Sequence, residues 1–353
     1  MRDRLCRQPP RLRIFDQKPA GEINLWVRIV IRRLTSHNTQ TILLRPTSPP
    51  PKTGAVGFSY QHYTDTRMRD VFLTKRIEFC ASHRYHQPRW SEKQNQTAFG
   101  HAHNLYGHGH NYLLEVSVGG PVNPLTGMVL NMYDLKRILE VVLSEFDHKD
   151  LDKDTPYFTT TIATPENLAL VLSERIASHL DGAYLERVRL FEDEDLYVDY
   201  HHNNGRSMNT VCLTRRYHFS AAHRLHTDRL SPEDNKKIFG KCNNPNGHGH
   251  NYTLEVTLHG QPHPDTGAIY DLSHLDQVVN DTIVKRFDHQ HINYDPAFRE
   301  TTTTGENLLV LMWDLLAKEI PAETLYKVGL IETRDNYFEY YGRTPTSPAT
   351  PVP

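Results

Sequence analysis

The second half of this chain repeats the first. His83 recurs as His223, His108-Gly109-His110 as His248-Gly249-His250, Glu166-Asn167 as Glu306-Asn307 and Glu192 as Glu332, each 140 residues on. Asp147-His148 and Asp288-His289 are 141 residues apart, and the register returns by Thr164 and Thr304. A one-residue difference is therefore expected at the end of a helix. Solenoid repeats run about 20 to 50 residues, so a period this long means duplicated domains. A chain of 353 residues has room for two.

Each copy reads strand, loop, strand, helix, helix, strand, strand. In the first, Val71 to Cys80 and Asn111 to Val118 interleave β-branched and aromatic residues with polar ones, the pattern of half-buried strands. Leu135, Ile138, Leu139, Val142 and Leu143 then follow helical spacing, with Asn131 placed as N-cap. Thr164-Pro165-Glu166 supplies an N-cap, a proline at the first helical position and an acid in the first turn. Tyr184 to Glu192 closes the unit as a strand. Strands with paired helices predict an α+β fold, an antiparallel sheet with helices on one face.

The domain limits follow from composition. Residues 1–70 hold 13 Lys and Arg against 5 Asp and Glu, with Pro runs, and are expected to be a disordered leader or an upstream extension of a frame beginning at Met68. An organelle transit peptide is the alternative, weakened by Asp3 and the prolines. The copies are expected at 71–200 and 211–342, with a polar linker at 201–210 and a disordered tail at 343–353. A formal charge of −2 gives no overall attraction to nucleic acid or an anionic membrane, and no apolar run is long enough for a membrane span. Four cysteines without paired spacing (Cys6, Cys80, Cys212, Cys242) argue against a disulfide framework and for a cytoplasmic location.

The chemistry lies in the histidines. At the start of a strand, His248 and His250 point to one face, and His223 at the end of the preceding strand can reach the same point. Three imidazoles with a fourth position open make a catalytic zinc site, and His83, His108 and His110 repeat the set in the first copy. Cys242 lies six residues before His248 in a loop of turn formers, where a cation and Lys241 would favour its thiolate and let it act as a base. Asp288-His289 offers an acid and an imidazole suited to proton relay. Glu332 is a carboxylate in an otherwise apolar strand, either a surface strand position or a buried acid that needs a partner such as the amidine-like edge of a ligand. Cys80 and Cys212 read as small buried hydrophobes, Cys80 on the opposite strand face from His83.

Phe239-Gly240-Lys241-Cys242-Asn243-Asn244-Pro245-Asn246-Gly247-His248-Gly249-His250-Asn251-Tyr252, with Ser220 to Leu225 upstream and Phe287-Asp288-His289 downstream, resembles the 6-pyruvoyl-tetrahydropterin synthase family of the animal type. The resemblance spans residues 211–342 and implies two tandem tunnelling-fold (T-fold) domains, each an antiparallel four-stranded sheet with two helices on one face. It implies Zn²⁺ held by His223, His248 and His250, Cys242 as general base, and Asp288 and His289 completing its relay. Glu332 would anchor the pterin ring, with Thr304 and Glu306 lining the site. The implied reaction is a carbon–oxygen lyase step, conversion of 7,8-dihydroneopterin triphosphate to 6-pyruvoyl-tetrahydropterin with loss of triphosphate, toward tetrahydrobiopterin. It also implies closed rings with active sites between subunits, so a homo-oligomer is expected, a trimer of two-domain chains, with copies side by side or stacked. Two departures stand out: Gly305 replaces a common Thr, and Ala102 in Phe99 to Gly107 replaces the thiol of Cys242, so the first copy cannot perform the same proton abstraction unless His101 or His103 serves as base. The rival readings are a 6-carboxy-tetrahydropterin synthase of deazaguanine biosynthesis and a non-catalytic pterin-binding scaffold.

Overall fold

The computed structural model describes residues 70–202 and 209–342. The leader up to residue 69, residues 203–208 of the linker and the tail from 343 lie outside the described residues. In the first copy the chain runs β1 (Asp70–His83), α1 (Glu92–Phe99), β2 (His108–Pro121), α2 (Met132–Leu143), β3 (Lys149–Asp150), α3 (Leu151–Asp154), α4 (Pro165–Ala177), β4 (Tyr184–Phe191) and β5 (Leu196–His201). The second repeats it as β6 (Val211–His223), α5 (Pro232–Phe239), β7 (His248–Gly260), α6 (Leu272–Val279), α7 (Lys285–Phe287), β8 (Gln290–His291), α8 (Gly305–Leu316), β9 (Leu325–Thr333) and β10 (Asn336–Tyr340).

The four long strands of each copy are antiparallel, as expected, but the two sheets are one. Their order is β10-β9-β7-β6-β5-β4-β2-β1, because β5 pairs with β6. The copies thus stand side by side. Short β3 and β8 add parallel bridges to β1 and β6. On β2 the alternating Tyr112, Leu114, Val116 and Val118 are fully buried against Leu135, Leu139 and Leu168 of the helices. Each such side chain contributes about 1.5–3 kcal/mol. The opposite face carries a row of alternating charge, with Arg76 on Glu115, Glu115 beside Arg189 and Arg189 bidentate to Asp199 at 2.7 Å.

The helix starts form as their sequences dictate. Asn131 accepts from the Tyr133 amide at 2.9 Å and Thr164 from the Asn167 amide at 3.3 Å. The one-residue difference between copies, however, is not at a helix end. In the second copy Asn280–Val284 forms a π turn between α6 and α7, absorbing the extra residue inside the helix so that Phe287 reaches the core position of Phe146.

The junction also involves loops. Following β7, the Asp265 carbonyl accepts from Gln87 Nε2 at 3.1 Å and its carboxylate pairs with Arg89. The Gly267 carbonyl accepts from Thr164 Oγ1 at 2.7 Å, and the Ile269 amide donates to Glu166 at 3.2 Å. Gly267 has φ +72°, and a β-carbon there would meet Asn167 at 2.8 Å, so both conformation and space require glycine. The matching loop of the first copy is open: nothing lies within 4 Å of a β-carbon at Gly127, and Leu125 is 94% exposed.

Candidate metal centres and active site

Pairing of β6 with β7 places His223 opposite His248, and Ala221 opposite His250. All three imidazoles point to the helix face, where their ring centroids lie 4.5 to 5.1 Å apart. The Nδ1–H of His223 donates to the Thr303 carbonyl at 2.8 Å, which leaves its Nε2 as a lone pair. That nitrogen faces Nε2 of His248 at 3.1 Å. Burial lowers the pKa of His223 and His248, so both are neutral and able to ligate. Such a donor set fits a cation, and the triad could hold a metal ion. The first copy repeats it: His83 donates to the Ala163 carbonyl at 2.7 Å and faces His108 at 3.1 Å, with His110 alongside. Burial takes His83 down to about 3.

Glu332 on β9 lies 3.7 Å from His223 Nε2 and 3.9 Å from His250 Nε2. Asn336 donates to it at 3.1 Å and the Tyr252 hydroxyl at 3.5 Å. Neither partner was foreseen, although Tyr252 recurs as Tyr112 in the repeat. Cys242 sits half-buried in a 3₁₀ turn, Gly240–Asn243, whose carbonyl at Cys242 accepts from the Leu225 amide at 2.9 Å. Arg224 ties the same turn through Asn243 Oδ1 at 2.7 Å. The thiol is close enough to Tyr252 to help raise that phenol's pKa, behind the larger effects of burial and Glu332.

Asp288 and His289 do not meet Cys242 in this way. Asp288 accepts from the Ser220 amide at 2.8 Å and pairs with His289 at 2.9 Å, while the His289 amide donates to the Ser220 carbonyl at 2.6 Å. Ser220 is three residues before His223, so its side chain lies on the other face of β6. Among the described residues, neither Asp288 nor His289 has a hydrogen bond or ion pair with Cys242. The expected three-residue relay is not assembled by contacts within one chain. Thr304 caps α8, with its hydroxyl accepting from Asn307, and Glu306 is exposed.

The first copy differs beyond the missing thiol. Ala102 occupies the backbone position of Cys242, its carbonyl accepting from the Tyr85 amide at 2.9 Å. His103 is buried, with its ring nitrogens on the Tyr85 carbonyl and Glu92, so it is engaged structurally. His101 is exposed in the turn. Leu196 stands where the second copy has Asn336, and among the described residues one carboxyl oxygen of half-buried Glu192 has no hydrogen-bond partner. Burial, then the neighbouring Glu166 carboxylate, raises Glu192 to about 8. Glu166, covered by the Ile269 loop and 2% exposed, is raised to about 7 by burial.

A duplicated α+β protein with a three-histidine metal-type centre in each copy is the class that these features define. The sequence profile of the 6-pyruvoyl tetrahydropterin synthase family matches residues 72–203 and 212–343, and the chain belongs to that family. It is 46% identical over 131 residues to the 6-pyruvoyl tetrahydrobiopterin synthase of Homo sapiens, covering 37% of this chain and 90% of that protein. It is 43% identical over 135 residues to that of Drosophila melanogaster, covering 38% and 80%. A solved structure of the Caenorhabditis elegans 6-pyruvoyl tetrahydropterin synthase aligns at 36% identity and a TM-score of 0.38, over 39% of this chain and 99% of the other.

Proposed function

We propose that this chain converts 7,8-dihydroneopterin triphosphate to 6-pyruvoyl-tetrahydropterin with elimination of triphosphate, and that the second copy does the chemistry. The observation that carries this reading is an imidazole triad with a carboxylate on the same sheet face, and a turn carrying Cys242 that is pinned to the chain just past the end of β6. His223, His248 and His250 hold Zn²⁺, which supplies Lewis acidity toward the substrate's side-chain hydroxyls. Cys242 removes a proton from the substrate side chain. Glu332 accepts N–H groups of the pterin edge, held in place by Asn336 and Tyr252. Thr304 and Glu306 line the same end.

Asp288 and His289 complete the relay from a neighbouring chain, since their own chain leaves them on the opposite sheet face. The junction within one chain is the pattern for a different contact, the one by which a ring would close between chains. There the second copy's loop covers Thr164 and Glu166, whereas the first copy's loop, with Leu125 and Met128 exposed, has Thr304 and Glu306 of another chain to cover. The assembly is a homo-oligomer, a trimer of two-domain chains, located in the cytoplasm. None of the described helices is long and apolar enough to cross a membrane.

Incubating the purified chain with zinc and 7,8-dihydroneopterin triphosphate, then weighing the product, tests the reading. The 6-pyruvoyl product with triphosphate is expected. A 6-carboxy product would move the chain to deazaguanine chemistry, and binding without turnover would leave a pterin-binding scaffold.

A further inference from the structure

A second cluster of ligating groups lies on the charged face of the first copy, away from the histidine triad. Cys80 precedes His83 by three on β1, so its thiol points to the face opposite the imidazoles. There it meets Asp147 and His148. One ligand atom from each of the three lies within 4.8 Å of the others.

The backbone builds this cluster. The Cys80 amide donates to Asp147 Oδ1 at 2.9 Å, the His148 amide donates to the Cys80 carbonyl at 2.7 Å, and Asp147 Oδ2 lies 3.0 Å from His148 Nδ1. His148 takes the left-handed backbone, with φ 57°, a conformation that non-glycine residues adopt only where the surroundings hold them. Beside the three opens a groove of about 420 Å³, lined also by Ser82, Asn111 and Lys149.

The second copy has the same frame without the thiol. Asp288 and His289 hold Ser220 by the same pair of backbone bonds, and His289 has φ 56°. The Ser220 hydroxyl donates instead to Asn251 at 3.0 Å. Cys80 is thus the one change that turns a shared backbone frame into a sulfur, nitrogen and oxygen donor set.

We propose that Cys80, Asp147 and His148 form a third metal site, specific to the first copy, for a borderline-soft divalent cation of the zinc class with its remaining position open to the groove. Thiolate, imidazole and carboxylate are the three ligand types that Zn²⁺ takes, and sulfur disfavours Mg²⁺ and Ca²⁺. Binding transfers the Cys80 thiol proton to solvent, leaving the thiolate on the cation. The inference rests on no part of the lyase reading.

Cobalt(II) is the probe. Metal-free full-length protein reloaded with Co²⁺ should show a thiolate-to-cobalt charge-transfer absorption in the near ultraviolet, because the histidine triads contain no sulfur ligand. Cys80→Ser, which installs the residue natural at Ser220, should abolish the band, and so should His148→Asn at a side chain 80% exposed. Cys242→Ala, which removes the thiol near the other triad, should leave it. Zinc content should fall by one ion per chain in Cys80→Ser. A band that is absent from the wild type, or that follows Cys242 rather than Cys80, overturns the proposal, as does zinc content unchanged by Cys80→Ser.

Discussion

The ring of Phe338 fills the space that a β-carbon on Gly305 would need. In the first copy the same two positions are Val198 and Pro165, a smaller strand residue against a larger helix start. A Thr at 305 would compete with the phenyl ring for the same volume. Gly305→Thr should therefore cost about 1–3 kcal/mol by overpacking. Phe338→Val in the same chain should recover most of that loss. Thermal denaturation of the two single variants and the double variant measures the coupling, and simple additivity would show that the two side chains do not compete.

Thiol and imidazoles are assigned different work, and that division can be tested. Cys242→Ala should reduce turnover at least 100-fold, on the order expected for loss of a positioned base, with zinc content intact. His248→Ala should instead lose zinc, since two imidazoles hold it less firmly than three. Elemental analysis beside an activity assay separates the two, and zinc lost from Cys242→Ala would refute the assignment.

Ala102 and Cys242 occupy equivalent turns with equivalent carbonyl hydrogen bonds. Ala102→Cys in a Cys242→Ala background should return measurable turnover. Its KM should exceed that of the second copy, because Glu192 lacks the amide that Asn336 gives Glu332. Steady-state kinetics across substrate concentration decide this, and no turnover at saturation would mean that the first pocket has lost more than its base.

Glu166 supplies a pH dependence. Its folded value of about 7 lies above that of an unfolded Glu, so the folded state keeps a proton that the unfolded state releases. Its effect on stability is most favourable below about pH 4.3 and declines as pH rises through about 7, by at most about 4 kcal/mol. Glu166→Gln, which keeps an acceptor for the Ile269 amide, should raise Tm at pH 8 and change it little at pH 4.5. An equal shift at both values would locate the effect outside this carboxyl.

The parts of this architecture visible in the sequence are those written in local patterns. Helical spacing at Leu135 to Leu143, the caps Asn131 and Thr164, and both histidine triads at strand ends need only near neighbours to be recognised. What escaped notice depends on residues far apart. Helix α1 is short and polar, and is pinned by the fully buried Asn95, whose side chain binds Gln87 on both its amide and its carbonyl. The π turn at Asn280–Val284 has no spacing signal of its own. The relay of Asp288 and His289 with Cys242 is implied by the family resemblance alone, and within one chain strand parity sends Ser220 and its attached pair to the other face. Cys80, read as a small hydrophobe, lies beside that same pair's counterpart.

Continuity of β5 with β6 carries a consequence of parity. Each chain brings two units to one sheet and leaves β1 and β10 as the outer long strands. Head-to-tail closure through those edges can only produce rings with an even number of units. Two chains give four, and three chains give six. Two stacked rings of three units cannot be made from chains whose copies stay side by side, because each such ring would have to divide one chain. A gene that fuses its units in this way therefore chooses among ring sizes before any interface between chains is formed.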